Sequence, residues 1–243
     1  MTGGQGKRVF LLALCVLGLL LFGSLGVWQV QRLAWKRDLI ARVDARIHLP
    51  PVPAPGRADW NSLDLRDAEY RRVQARGVFL HEAETLVDAL TELGAGAWVL
   101  TPLETPDGII LINRGFVPPE RRAAATRAAG QLAGEVNVTG LLRASEPGGR
   151  VLRPNQPAAN RWFSRDVAAI AAARGLGEMA PYFIDAEAGA LARAGADAAA
   201  GPVGGLTVVR FRNAHLSYAI TWFALAALCA AGLALAWRRP GEA

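Results

Sequence analysis

Residues 214–237 read AHLSYAITWFALAALCAAGLALAW, and residues 9–27 read VFLLALCVLGLLLFGSLGV. Neither stretch holds an Asp, Glu, Lys or Arg, and at about 1.5 Å per helical residue each is long enough to cross a hydrocarbon core roughly 30 Å thick. They explain an apolar content of 52% and a mean hydropathy of +0.20, above the usual values for a soluble globule. The reading is two transmembrane helices, 9–28 and 213–237, with tails 1–8 and 238–243 and one domain, 29–212, between them. A chain of 243 residues is long enough for one domain with a proper core and too short for two of full size.

The basic pair Lys7 and Arg8 and the small residues Ser24 and Gly26 also fit a cleaved signal peptide. The length of the first run, beyond a signal core of roughly 7 to 15 residues, favours a retained anchor. Two crossings put both termini on one side and residues 29–212 on the other. Charge leaves that side open: Lys7, Arg8, Arg238 and Arg239 flank the termini, while Arg32, Lys36, Arg37, Arg42, Arg210 and Arg212 crowd the domain ends. Long loops translocate largely regardless of charge.

Cys15 and Cys229 both lie within the apolar runs, so the middle region has no thiol for a disulfide, a thiolate metal site or copper transfer. The pI of about 10.1 suits anionic lipid headgroups or a solvated basic surface. No arginine-rich arm with interleaved aromatics points to nucleic acid.

Beyond Trp28, the residues Leu33, Trp35, Leu39, Ile40, Val43 and Ile47 recur at helical spacing, predicting an amphipathic continuation of the first helix. Pro50, Pro51, Pro53 and Pro55 stop it. Val73, Ala75, Gly77 and Phe79 then alternate with mostly polar residues, and 86–90, 98–103, 109–112, 136–142 and 182–184 read as further strands. Thr105–Pro106–Asp107–Gly108 is good turn chemistry for a hairpin. Helices are expected at 120–129 and 166–173, an Ala- and Gly-rich link at 187–205 and a last strand at 206–211. The fold class is therefore α+β: two transmembrane helices flanking a mainly antiparallel β domain, as a sheet or small open barrel, with a few helices. Ala224, Ala227 and Ala231 with Gly232 on the second span, and Gly18, Gly23 and Gly26 on the first, would allow close packing of the two.

His215 is the informative histidine. It lies about 33 Å along a helix from Trp237, at the far rim of the membrane, and positions 215, 218, 219 and 222 share a helix face. An ionisable residue there is a functional candidate, with a histidine of the interfacial aromatic belt as the alternative. A neutral imidazole is a good axial ligand for heme iron, with Tyr218 and Trp222 on the same face. Arg210 and Arg212 could meet heme propionates or ordinary headgroups. A metal site at His48 or His81 would need further ligands converging on them. No Gly-x-Ser-x-Gly elbow or phosphate loop appears, and no catalytic constellation.

The segments Gly26, Trp28, Gln29, Arg32, Trp35 and Lys36; Glu69, Tyr70 and Val73 with Gly77, Phe79 and His81; and Trp98, Thr101, Pro102 and Leu103 follow an order that carries a likeness. So do Ile112 to Pro118; Gly140, Arg143, Glu146 and Pro147; Trp162; and Arg212, Asn213, His215, Leu216, Tyr218, Ala219, Thr221, Trp222 and Phe223. In these the chain resembles the Surfeit locus family of cytochrome c oxidase assembly factors, the heme a chaperones. The resemblance implies a non-enzymatic protein of the inner membrane whose domain faces the periplasm or intermembrane space. It implies heme a as cargo on His215, delivered to oxidase subunit I or held while that subunit is stabilised, with heme A synthase as a further partner. The eight residues before the first run are too few for a mitochondrial transit peptide, which favours a bacterial inner-membrane member. A heme-free scaffold for subunit I is the rival reading; a heme a biosynthesis enzyme or membrane hydrolase ranks last, since such enzymes usually need more helices and histidines. Ala214 and Leu80 replace polar residues common in relatives, and the link 187–205 looks looser.

Overall fold

A computed structural model describes residues 3–191, 201–206 and 214–238. The chain divides into two units, 1–43 with 210–243, and 44–209. The helical unit holds most of α1 (Gly3–Ile47) together with α4 (His215–Arg238), both long and apolar enough to cross a membrane. No Gly or Pro interrupts residues 28–49, so α1 runs on as one helix past Trp28 to Ile47, as the helical spacing from Leu33 to Ile47 predicts, and the helical unit takes in α1 as far as Val43.

α1 and α4 pack antiparallel. Cys15 lies beside Gly232 and Gly18 beside Cys229. Phe22 stacks on Trp222 with ring centroids 5.8 Å apart, and Gly26 lies under Phe223. The face of α4 turned inward differs from the expected one. Ala224, Ala227 and Ala231 are exposed, whereas Ala219 and Ala226 are buried, with Trp222, Cys229 and Gly232 half-buried. The physical reason is ring volume: the contact stripe follows the places where Trp222 and Phe223 find room on α1, and alanines one turn-third away do not set it. Gly18 and Gly26 serve the packing as expected; Gly23 faces open space.

The second unit contains β1 (Val52–Pro53), α2 (Leu65–Ala68), β2 (Arg72–Phe79), β3 (Thr85–Thr91), β4 (Gly94–Thr105), β5 (Gly108–Val117), β6 (Glu135–Ala144), β7 (Gly149–Arg150), β8 (Arg153–Pro154), α3 (Val167–Arg174) and β9 (Met179–Ala186). The large sheet runs β1-β2-β6-β9-β5-β4-β3, and β2 also pairs with β4, so β2, β6, β9, β5 and β4 close into a five-stranded barrel. Closure occurs at Val78↔Glu104 and Phe79↔Leu103. Two edges are shared lengthwise: β1 takes the start of β2 and β4 its end, while β3 takes the start of β4 and β2 its end. The pairings are antiparallel except β1 with β2 and β5 with β9.

The alternation in β2 places Val73, Ala75, Gly77 and Phe79 inward, as predicted. Gly77 is required where the barrel closes, because a Cβ there would sit 2.1 Å from the Glu104 carbonyl oxygen. Phe79, Leu103, Ile112, Val138, Leu142 and Tyr182 are part of the main core. Burying each such side chain contributes about 1.5–3 kcal/mol. The other face of the sheet is covered by α3 and Trp162, which pack on Leu100, Leu111 and Phe183. The Thr105–Gly108 hairpin forms with Thr105 Oγ1 donating to the Gly108 carbonyl at 2.7 Å. α3 is capped by the Asp166 carboxylate and ends at left-handed Gly175.

Residues 120–129 do not form the expected helix. They make two 3₁₀ segments, Pro119–Arg121 and Ala124–Gly130, the second broken at Arg127 with φ −139°. The Arg127 guanidinium bonds both carboxylate oxygens of Glu84 and the carbonyls of Arg121 and Arg122, and this buried pairing overrides local helix propensity. Residues 207–211 of the expected last strand lie outside the described residues, as do 192–200 of the expected link. Just before them Val203 bridges Phe116, an approach that requires left-handed Gly115, whose Cβ would lie 2.3 Å from the Val203 carbonyl oxygen.

Candidate functional site

Gln29 is the first amide side chain on α1 beyond Ser24, between Trp28 and Val30. One heptad beyond Phe22, it falls on the same stripe that meets α4, and only 8% of its surface is exposed. The antiparallel register brings it to His215, the first residue of α4. His215 Nδ1 lies 2.7 Å from Gln29 Oε1. An amide oxygen only accepts, so Nδ1 carries the proton and donates. The ring is then the tautomer whose Nε2 holds the lone pair that could ligate a metal. That arrangement matches what metal-ligating histidines need: one nitrogen committed to an acceptor, the other available.

The remaining predicted residues separate. Trp222 is half-buried against Phe22, whereas Tyr218 is 55% exposed. Arg210 and Arg212 lie outside the described residues. On α1, Arg32 stacks over Trp35 with its guanidinium carbon 4.1 Å from the ring centroid. The sequence reading did not pair Gln29 with His215. The available signal was spacing: of the two amides Gln29 and Gln31 at the rim of the first apolar run, only Gln29 lies one heptad from Phe22, as His215 lies at the rim of the second.

Glu69, Asn113, Arg114, Arg143 and Glu146, which carry part of the likeness, join with Glu84, Arg127, Arg165 and Asp185 in two polar knots of the barrel. Asp185, 2% exposed, accepts from Asn113 Nδ2 at 2.7 Å and from Arg143 and Arg165, both at 3.1 Å. Arg143 also reaches Glu69, and Arg165 pairs with Glu146. Burial pushes the Glu146 carboxyl up, but the hydrogen bonds and charge of Arg165 outweigh it and hold the group below the usual carboxylate range. A second knot joins Arg127 to Glu84, with Arg114 Nη1 3.8 Å from the same carboxylate. Burial lowers the Arg114 guanidinium to about 10, partly offset by Glu84. His81 Nε2 lies 3.0 Å from the Leu132 carbonyl, and His48 bonds within its own helix turn. Among the described residues no group of three or more His, Cys, Asp or Glu could hold a metal ion.

A family model described as the SURF1 family matches residues 16–227. Surfeit locus protein 1 of Homo sapiens is 38% identical over 222 residues, which span 84% of this chain and 70% of that protein. The SURF1-like protein of Monosiga brevicollis is 36% identical over 232 residues, 90% of this chain and 84% of the relative. The SURF1-like protein of Drosophila melanogaster is 34% identical over 223 residues, 84% of this chain and 70% of the relative. The matched span takes in most of both apolar helices and the whole barrel between them, and the chain belongs to the SURF1 family.

Proposed function

We propose that this chain is a cytochrome c oxidase assembly factor that carries heme a on His215 Nε2 at the outer rim of its helix pair and passes it to oxidase subunit I. The observation that supports this most directly is the His215–Gln29 bond, which leaves Nε2 as the ligating nitrogen. The cargo would supply an iron centre whose axial position an imidazole can fill. The chain's own part is to hold that imidazole at the end of α4 in the ligating tautomer, with the rings of Trp222 and Phe22 packed together two turns further in. Arg210 and Arg212, next to His215 in sequence, would neutralise the propionates. The barrel is placed on the side of the membrane opposite both termini, the periplasm of a bacterial cell, where it would meet subunit I and heme A synthase. No step in this role requires bond-making by the protein, which makes it a carrier and not an enzyme.

The test is co-expression with the heme a biosynthetic enzymes, purification, and absorption spectra of wild type beside His215→Ala. Heme a bands in the wild type that vanish in the variant support the proposal. A wild type without heme a favours the scaffold reading, and bands that survive in the variant move the ligand elsewhere. Reporter fusions at Ala198 and at the C-terminus should be active on opposite faces of the membrane.

A further inference from the structure

We infer that Gln29 is the positioning residue of the heme ligand: its amide carbonyl fixes the Nδ1–H tautomer of His215 and so tunes both the affinity and the potential of iron held on Nε2. This rests on the function proposed above and adds a role for the first helix, which otherwise serves as an anchor. The geometry is specific. Gln29 is 8% exposed, its oxygen is 2.7 Å from Nδ1, and donor and acceptor come from different helices of one packed pair.

A neutral imidazole has one lone pair. With the proton on Nε2 the lone pair would sit on Nδ1, the nitrogen turned toward Gln29. An acceptor on Nδ1–H prevents that exchange, holds the ring orientation and raises electron density at Nε2. Greater density on the ligand stabilises ferric over ferrous iron and lowers the midpoint potential. A carboxylate at position 29 accepts more strongly than an amide, and an aliphatic side chain does not accept at all. The two replacements should therefore displace the potential in opposite directions, a pattern that loss of packing alone does not produce.

The experiment compares the full-length wild type, Gln29→Leu, Gln29→Glu and His215→Ala, each purified after co-expression with the heme a enzymes. Midpoint potentials come from spectroelectrochemistry, and affinities from titrating heme-free protein with purified heme a. We expect Gln29→Leu to bind about 10–100-fold more weakly and to shift to a higher potential. Gln29→Glu should keep affinity near the wild type and shift to a lower potential. Equal affinities and potentials in wild type, Leu and Glu variants, with heme lost in His215→Ala, would overturn the role of Gln29 while leaving the carrier function standing. Shifts of both variants in one direction would overturn it too. If the Leu variant fails to fold, as judged by circular dichroism and size exclusion, the Glu variant decides: a lower potential supports the inference and an unchanged one sinks it. Absence of heme a from the wild type itself would instead be a failure of the proposed function.

Discussion

The Cα of Gly26 on α1 lies against the ring of Phe223 on α4, so closely that a Cβ at position 26 would come within 2.6 Å of the ring. The contact lies one turn from Gln29 on α1 and about two turns from His215 on α4, and holds the register of that pair. Overpacking here should cost about 1–3 kcal/mol of helix association. In a chain with Cys229→Ser, Gly232→Cys should form an intrachain disulfide with Cys15 on mild oxidation, because a Cβ at position 232 would lie 3.4 Å from Cys15 Sγ. Adding Gly26→Leu should lower the yield about tenfold, the ratio that 1.4 kcal/mol represents. Gly23→Leu, built into open space, should leave the yield unchanged. Equal yields in both would mean that Gly26 does not set the register.

Glu84 is the shared counter-ion of two buried guanidiniums, bonded by Arg127 and 3.8 Å from Arg114. Removing it leaves two cations in a site where Arg114 is 2% exposed. Breaking a buried pair from one side costs about 3–5 kcal/mol, because the remaining charge is uncompensated. Glu84→Gln should therefore destabilise the barrel by that amount in urea unfolding followed by tryptophan fluorescence. The double variant Glu84→Gln with Arg127→Met should recover part of the loss. A single variant within 1 kcal/mol of wild type, on the order of an exposed pair, would show that the knot is solvated.

Much of this barrel could be read in the sequence, and the reasons differ by element. The β2 alternation, the Thr105–Gly108 turn and the helix at 166–173 are local signals, and each formed to within a residue of its reading. Closure at Phe79↔Leu103 is a pairing between residues far apart in sequence, so no local period encodes it; the trace it leaves is Gly77, where backbones touch. The helix expected at 120–129 failed because Arg127 is bent toward Glu84 by a contact 43 residues away. At the candidate site, His215 was visible from its depth in the second run, but Gln29 was not. Its partner depends on the register of two helices, and that register is set by Phe223 over Gly26 and Trp222 against Phe22. The alanine stripe that the sequence suggested does not set it.

Glu146 gives the barrel a pH dependence. Its folded pKa lies below the ordinary value of 4.5, with burial opposed and outweighed by Arg165. A depressed carboxyl contributes stability above its unfolded pKa and loses it as pH falls through the folded one. Urea midpoints should hold steady from pH 7 to about 5 and then fall as the pH drops through 4.5 and below. Glu146→Gln should start lower at pH 7 and converge on wild type at the acid end. Parallel curves with a constant gap would assign the loss to something other than ionisation of this carboxyl.

Leu152 sits at the tip of the β7–β8 hairpin with φ +65° and 95% of its surface exposed. Its loop has two residues, Val151 and Leu152, between the paired Arg150 and Arg153, and only the second is left-handed. That second position is where turns of this kind take Gly or Asn, since a larger L side chain costs about 1–2 kcal/mol in the left-handed region. Leu152 makes almost no contact that would offset the strain. Leu152→Asn should therefore raise stability by about 1 kcal/mol. Leu152→Gly should gain less, because glycine also adds freedom to the unfolded chain. Val151→Asn, at a position with ordinary φ, should change little. Urea unfolding of the three variants checks the order, and a loss of stability in Leu152→Asn would show that the leucine is held by a contact in the assembled protein that outweighs its backbone strain.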